Sequence, residues 1–380
     1  MPTGPIIHVV QHLAPGGLEV MALELARAQS ARPGGAFVLS LEGGAEQAIA
    51  RWPRLAAERE RLIFLGKRPG LDPALPLRLA MAFRRLRPAC VHTHHIGPLL
   101  YAGPAARLAG VRARLHTEHD AWHLADPRRA RLARAALLAA QPVLVADAPD
   151  VAAAVRRAIG GAPPRVVLNG VDTVRFAPRD RSAARLALEL PLDAPVVGVA
   201  ARLERVKGVD VAIAALARLP GPTVLAVAGA GGEEAALRAQ AEALGVAGRV
   251  RFLGLLDDMA GFYPALDLLC VPSRAEGLPL APLEAQACGI PAVAAQVGGV
   301  ASALCPSTGR MVPAEDPCAL AEALAAALAA PHGDPRPFVL RQASLAAAAD
   351  AYVELAHAAG GKGSRLRTAC VAAAPVASRN

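Results

Sequence analysis

Two carboxylates stand eight positions apart in EGLPLAPLEAQACGIP, the stretch from Glu276 to Pro291. The rest of it is apolar, proline and small residues. Paired carboxylates suggest acid/base work on a sugar, but the spacing argues against hydrolysis. In one continuous helix, eight residues would separate the two groups by about 12 Å. Glycosidase carboxylates face each other across roughly 5–9.5 Å. Pro279 and Pro282 place the helix start near 280–283, because proline is tolerated in a first turn. Gly289 and Pro291 end it. Glu276 then belongs to a loop and Glu284 to the first turns of a helix. A helix N-terminus offers free N–H groups and a positive dipole end, suited to phosphate. A glutamate on either side suits hydroxyls, one set on a sugar and one on a ribose. The plainer alternative is that Glu284 only caps or decorates the helix.

Two cations form the next constellation. Arg202 and Lys207 follow the apolar run VVGVAA, five positions apart, and precede a helical pattern. A planar fork and a point charge on one strand-to-helix loop suit a diphosphate. Lysine is scarce here: Lys67, Lys207 and Lys362 are the only ones among 41 basic residues, which singles out Lys207. Gly16 and Gly17 follow the first strand and permit close approach of a ligand. Glu19, just beyond, is assigned to the first helical turn. Histidines cluster in VHTHHIGPLL and VRARLHTEHDAWH. His94 and His95 are candidates for acceptor contact or for a structural role. His116 reads as a strand or core residue, His119 as a cleft residue, and Glu118 and Asp120 as secondary acceptor candidates. The spacing matches no closed zinc pattern, and no Asp-x-Asp occurs, so no metal and no cofactor are expected.

These residues need elements to position them. Short β-rich runs alternate with Ala/Leu/Arg helical patterns. Strands are expected at 6–10, 36–41, 61–65, 89–94, 112–117, 142–146 and 165–169, with helices at 17–30, 75–86, 98–109, 126–140 and 149–159. The pattern pauses over 169–195 and restarts with strands at 196–201, 223–229, 249–254, 266–272 and 291–295. Helices there are expected near 207–218, 232–244, 280–288 and 315–330. Such alternation predicts an α/β chain with two doubly wound, Rossmann-like halves. The expected domains are 1–175 and 176–337, then a closing helix over 338–359 and a disordered tail over 360–380. Each motif falls just after a strand, where open α/β sheets bind ligands.

Composition narrows the function classes. The 380 residues suffice for two cores. Residues 1–170 carry a net charge of +10 and the remainder −1, within a total of +9. A basic first half suits a phosphorylated substrate or an anionic membrane surface, or is simply a solvated face. No long basic run interleaves with aromatics, so nucleic acid is not an expected partner. The six cysteines form no C-x-x-C pair, and Cys90 and Cys270 lie in apolar runs, pointing to a reducing cytosol. MPTGPIIHVVQHLAPGG lacks the features of a signal peptide.

The segment LDLLCVPSRAEGLPLAPLEAQACGIPAVAAQVGG resembles the E-x7-E signature of glycosyltransferase family 4, the retaining, nucleotide-sugar-dependent enzymes of the GT-B fold. Similar agreement is found in VVGVAARLERVKG, in the Gly-Gly-x-Glu of HLAPGGLEV and in NGVDTVRF, so that the resemblance spans residues 6 to about 330. It implies that Glu276 contacts the donor sugar and Glu284 the ribose hydroxyls. It further implies that Arg202 and Lys207 stabilise the departing diphosphate and that His119 lies beside the donor sugar. The loop at Gly277, Leu278, Pro279 and Leu280 would approach sugar and diphosphate, Pro279 offering no N–H. Gln286 and Gln296 depart from the family's usual residues and leave sugar and base open. The implied activity is transfer of a sugar from a nucleotide-sugar donor to a lipid-linked or saccharide hydroxyl, in bacterial polysaccharide or glycolipid synthesis. The enzyme would be cytoplasmic, and RLAMAFRRLR is either its attachment to the inner membrane face or an ordinary amphipathic helix. A sugar-nucleotide 2-epimerase of similar fold and a non-catalytic nucleotide-sugar-binding protein are the other readings. The RLERVKG loop counts against the first and the joint presence of Arg202, Lys207, Glu276 and Glu284 against the second.

Overall fold

The computed structural model describes residues 4–68, 70–329 and 333–361. Its first sheet contains β1 (Ile6–Val10), β2 (Ala36–Glu42), β3 (Leu62–Lys67), β4 (Cys90–His94), β5 (Ala113–Glu118), β6 (Val143–Ala146) and β7 (Arg165–Val166). The second contains β8 (Val196–Ala200), β9 (Val224–Ala228), β10 (Val250–Gly254), β11 (Leu268–Val271), β12 (Ala292–Ala295) and β13 (Arg310–Val312). The spatial orders are β3-β2-β1-β4-β5-β6-β7 and β10-β9-β8-β11-β12-β13. Every pair is parallel. Parallel strands are covered on both faces and so read as unbroken apolar runs; VLAVA of β9 is buried at all five positions.

Strand order reverses between β1 and β4 in the first sheet and between β8 and β11 in the second. Crevices open outside the carboxyl ends of strands at such points. Gly16–Gly17, His94–His95, Arg202–Lys207 and Glu276 all follow these four strands.

The structure alters several sequence expectations. β7 is two residues long, not five: Val167 N still bonds Ala146 O, and beyond it the chain departs toward Asn169, which meets Leu278 O. β13 was not expected: its three residues pair at the edge and two are exposed, so no apolar alternation announces it. The closing helix over 338–359 is in fact two, Arg336–Gln342 and Leu345–Gly360. Between them the Ser344 hydroxyl accepts from Ala347 N, capping the second helix. Val171 pairs there with the backbone of Ala343 and Leu345. The proposed tail lies almost wholly outside the described residues.

The last helix does not join the second half. Leu345, Ala348, Tyr352 and Ala356 pack with Met21, Leu25, Leu115 and Val145 of the first. The pause over 169–195 is ordered by Arg185, which is 1% exposed. Its guanidinium donates to the carbonyls of Ala265, Pro191, Leu192 and Ala194 and to Asp267 Oδ2.

Candidate active site

The second half presents its charged groups at the ends of β8 and β11. Lys207 Nζ lies 2.7 Å from Glu276 Oε1 and 2.8 Å from Oε2, and Ser273 Oγ donates to Oε1 at 2.6 Å. Lys207 closes the 3-10 turn Arg205–Lys207, and Gly208 follows at φ 66°. A Cβ at Gly208 would stand 2.0 Å from Pro272 O, so glycine alone lets the two loops meet. Arg202 pairs with Glu204 and keeps a side chain 55% exposed. Arg274 joins the loops: it donates to both oxygens of Asp210 at 2.8 and 2.7 Å, and to Glu315 Oε1 and Arg205 O. The guanidinium holds the Asp210 carboxyl below the usual aspartate range.

The helix Leu280–Ala287 begins after Pro279, and its first-turn N–H groups have no acceptor within the helix. Glu284 Oε2 accepts from Tyr263 OH at 2.6 Å. Burial pushes the Glu284 carboxyl above the ordinary glutamate value, and the Tyr263 hydrogen bond works the other way.

Gly277 is where the halves touch. A Cβ there would lie 1.6 Å from His119 O, so any larger residue would push the Gly277 loop off the first half. Asn169 Nδ2 spans the same junction, donating to Leu278 O and to Asp147 Oδ2, both at 3.1 Å. His119 Nδ1 lies 3.4 Å from Asp147 Oδ2. Leu278 buries its side chain, so this residue serves the site through its backbone.

On the first half, Gly16 precedes the helix Gly17–Gln29 in extended backbone, and the Glu19 carboxyl folds back over it. Burial raises the Glu19 carboxyl, while His12, Arg202 and His119 pull against it. Glu19 therefore belongs to the first turn and also feels Arg202 across the cleft.

The parallel register sets His8 beside His92 and His94 beside Thr117. From it grows a buried chain of rings. His8 bonds Gln29 Oε1 at 2.8 Å and His94 Nε2 at 3.0 Å, and His94 Nδ1 bonds His119 Nε2 at 3.0 Å. Burial lowers His8 to about 4 and holds His92 and His94 well below the usual range, so these three are neutral at ordinary pH. Of the two roles the sequence left open for His94, this environment fits the structural one. It is fully buried with both nitrogens engaged, one on His8 and one on His119. His116 is buried between Thr93 and Glu118, as its strand position implied.

His95 caps the helix Ile96–Leu108 at φ 69° and ψ 166°, a conformation normally left to glycine and costing about 1–3 kcal/mol. Its Nε2 lies 3.5 Å from Asp120 Oδ2, and His123 Nδ1 bonds Asp120 Oδ1 at 2.9 Å. Burial opposes the charge on Glu118, yet the His116 hydrogen bond holds its carboxyl below the usual glutamate range. Glu118 is 1% exposed, so a direct acceptor contact would need to reach through its surroundings.

Sequence reasoning passed over Ser273, Arg274, Tyr263, Asp147 and Asn169. Ser273 and Arg274 stood within the quoted motif; Asp147 directly follows β6, the same signal that marked His119. A separate depression lined by Pro178, Asp267, Gly289 and Pro291 opens at the amino ends of the second sheet's strands, the wrong end for this chemistry.

Two family models match: Glycosyltransferase Family 4 over residues 15–175 and Glycosyl transferases group 1 over 180–339. The D-inositol 3-phosphate glycosyltransferase of Mycobacterium avium is 41% identical over 173 residues, 44% of this chain and 41% of that protein. That of Mycobacterium tuberculosis is 41% identical over 165 residues, 41% of this chain and 34% of its own length. The aligned stretch thus spans about two fifths or less of these curated relatives. Among solved structures, Anabaena HepE in complex with UDP and glucose superposes with a TM-score of 0.80 at 21% identity, covering 92% of this chain and 98% of that one. Sucrose-phosphate synthase from Thermosynechococcus elongatus gives 0.75 at 24%, covering 93% and 98%. Two Rossmann-like halves meeting at a shared cleft, matched half by half to glycosyltransferase models, place this chain in glycosyltransferase family 4, with the GT-B fold.

Proposed function

We propose that this protein moves a sugar from a nucleoside diphosphate to a hydroxyl acceptor with retention of the anomeric configuration. The observation that carries the reading is the Lys207–Glu276 pair at the second sheet's switch point, facing His119 across Gly277. The second half would hold the donor. Arg202, Lys207 and the first-turn N–H groups at Leu280 take the diphosphate, Glu276 the sugar hydroxyls and Glu284 the ribose hydroxyls. As the glycosidic bond breaks, negative charge gathers on the departing phosphate, where preorganised cations stabilise it best. The acceptor oxygen forms its new bond to the anomeric carbon on the same face, and its proton passes to a phosphate oxygen of the leaving group. The diphosphate is handled by Arg202 and Lys207 rather than by a chelated cation, in keeping with a sequence that has no Asp-x-Asp.

HepE has been solved with UDP and with UDP-glucose, which supports a uridine donor. The name of the curated relatives supports a phosphorylated polyol among the acceptors to test, beside lipid-linked and saccharide ones. The +10 charge of the first half suits such an anion and also the inner face of a membrane. No helix among the described residues is long and apolar enough to cross a bilayer.

Mass spectrometry of UDP-, GDP- and ADP-sugars incubated with the protein tests the reading. The expected result is slow hydrolysis of one donor class that persists in EDTA. A sugar isomerised on an intact nucleotide would instead identify an epimerase, and inert donors of every class would overturn the proposal.

A further inference from the structure

Glu118 and His123 each leave one buried polar atom without a hydrogen-bond partner, Oε2 and Nε2, and these lie 3.7 Å apart. His95 completes the group: one ligand atom from each of the three residues lies within 4.8 Å of the others. The far side of two of these ligands is already held. His123 Nδ1 bonds Asp120 Oδ1, and Glu118 Oε1 bonds His116 Nε2 at 3.1 Å. Metal-binding imidazoles and carboxylates are oriented by such outer partners. His8, His92 and His94 fall within the same reach of one another and make the contrast. Both nitrogens of His8 and of His94 are engaged, and His92 Nε2 bonds Thr117 at 2.8 Å, so that group has few lone pairs to spare.

We propose that His95, Glu118 and His123 bind a divalent metal ion of the zinc class at the mouth of the first half. Two imidazoles and one carboxylate suit a borderline ion, whereas Mg²⁺ and Ca²⁺ favour all-oxygen sites. The side chains of Glu118 and His123 are 1% and 5% exposed and that of His95 is 32%, so the site opens on the His95 side. Positions left open there would take oxygen ligands, from water or from an acceptor. The His95 ring centroid lies 4.6 Å from that of His123. The site lies on the half opposite Arg202 and Lys207 and is independent of the donor chemistry.

Calorimetric titration of the chelator-stripped full chain with Zn²⁺ tests this, with visible absorption of the Co²⁺-loaded protein as a second readout. One equivalent of Zn²⁺ and cobalt ligand-field bands are expected. His95→Gly keeps the positive φ while removing a ligand, and it should weaken binding at least about 10-fold, a loss that even outer partners can cause. His123→Ala should do the same, with circular dichroism reporting that the fold persists. Absence of stoichiometric binding in the wild type overturns the proposal, as does binding of wild-type strength in both variants.

Discussion

Lys207 Nζ sits between both oxygens of Glu276, so a donor that uses the two residues must bridge or part them. Lys207→Ala is expected to lower turnover by about 10²-fold or more, the usual loss when a preorganised charge donor is removed; initial rates of donor hydrolysis check it. Glu284 sets a pH dependence. In the proposed role its ionised carboxylate accepts from both ribose hydroxyls, and protonation removes part of that acceptor capacity. Donor affinity should therefore weaken as pH falls, beginning above the ordinary glutamate value of 4.5. Removing the Tyr263 hydrogen bond moves the carboxyl further up, so Tyr263→Phe should shift that step to higher pH. Glu284→Gln should abolish it. UDP titration calorimetry across pH reads all three. The placement of Glu276, Glu284, Arg202 and Lys207 after strand ends was legible because each motif is one contiguous stretch of chain. Asp147, Asn169 and Tyr263 were not: the first two follow β6 and β7 and the third comes from the short helical turn ahead of β11, so only the fold brings each to its partner. The same holds for His95, Glu118 and His123: the side-by-side pairing of β4 and β5 assembles them, and no linear zinc spacing results.

Among the elements, the connection between the halves shows how one side chain orders a segment with no periodicity of its own. Arg185→Leu would leave Asp267 without its buried cation and four carbonyls without a donor, although Arg181 still reaches Asp267 Oδ1 at 2.8 Å. Breaking such a pair costs about 3–5 kcal/mol, and the denaturation midpoint should fall accordingly at unchanged slope. The helix Leu75–Leu86 offers a second test. Leu75, Leu79, Ala80 and Phe83 are buried, while Leu77 and Met81 remain 57% and 46% exposed along the stripe that ends at Arg84 and Arg85. Reversible attachment to anionic membranes through this face predicts flotation with anionic liposomes at low salt, its loss at high salt, and its loss in Leu77→Asp/Met81→Asp. Each basic residue near such a surface adds about 1 kcal/mol. Flotation unchanged by the double substitution would move the contact elsewhere. The amphipathic pattern was visible in RLAMAFRRLR; which apolar residues stay outside was not, because burial is decided by neighbouring helices.

At the scale of the molecule, two chain crossings join the halves, one over 171–195 and one ending at Ser344. The alternating pattern predicted both sheets because buried parallel strands are unbroken apolar runs. The return of the last helix left no such mark. LAAAADAYVELAHAAG reads as a helix with an apolar face, and nothing local says which sheet that face will cover. Tyr352 shows the depth of the return: its hydroxyl accepts from Thr117 Oγ1 at 3.2 Å, and its ring lies 4.7 Å from that of His92, directly behind the histidine chain.

That return has a consequence for synthesis. A ribosome makes the first sheet early, but Met21, Leu25, Leu115 and Val145 keep an apolar face uncovered until the second half has been translated. At about 5–20 residues per second the delay is on the order of 10–40 s. The nascent first half therefore keeps this face open until the last helix arrives, and its core cannot close in strict order from the N-terminus. A fragment of residues 1–175 should aggregate alone and be rescued in trans by a peptide spanning 344–361, with light scattering and far-ultraviolet circular dichroism as the measures. A soluble, cooperatively melting fragment without the peptide would show that the face closes by itself.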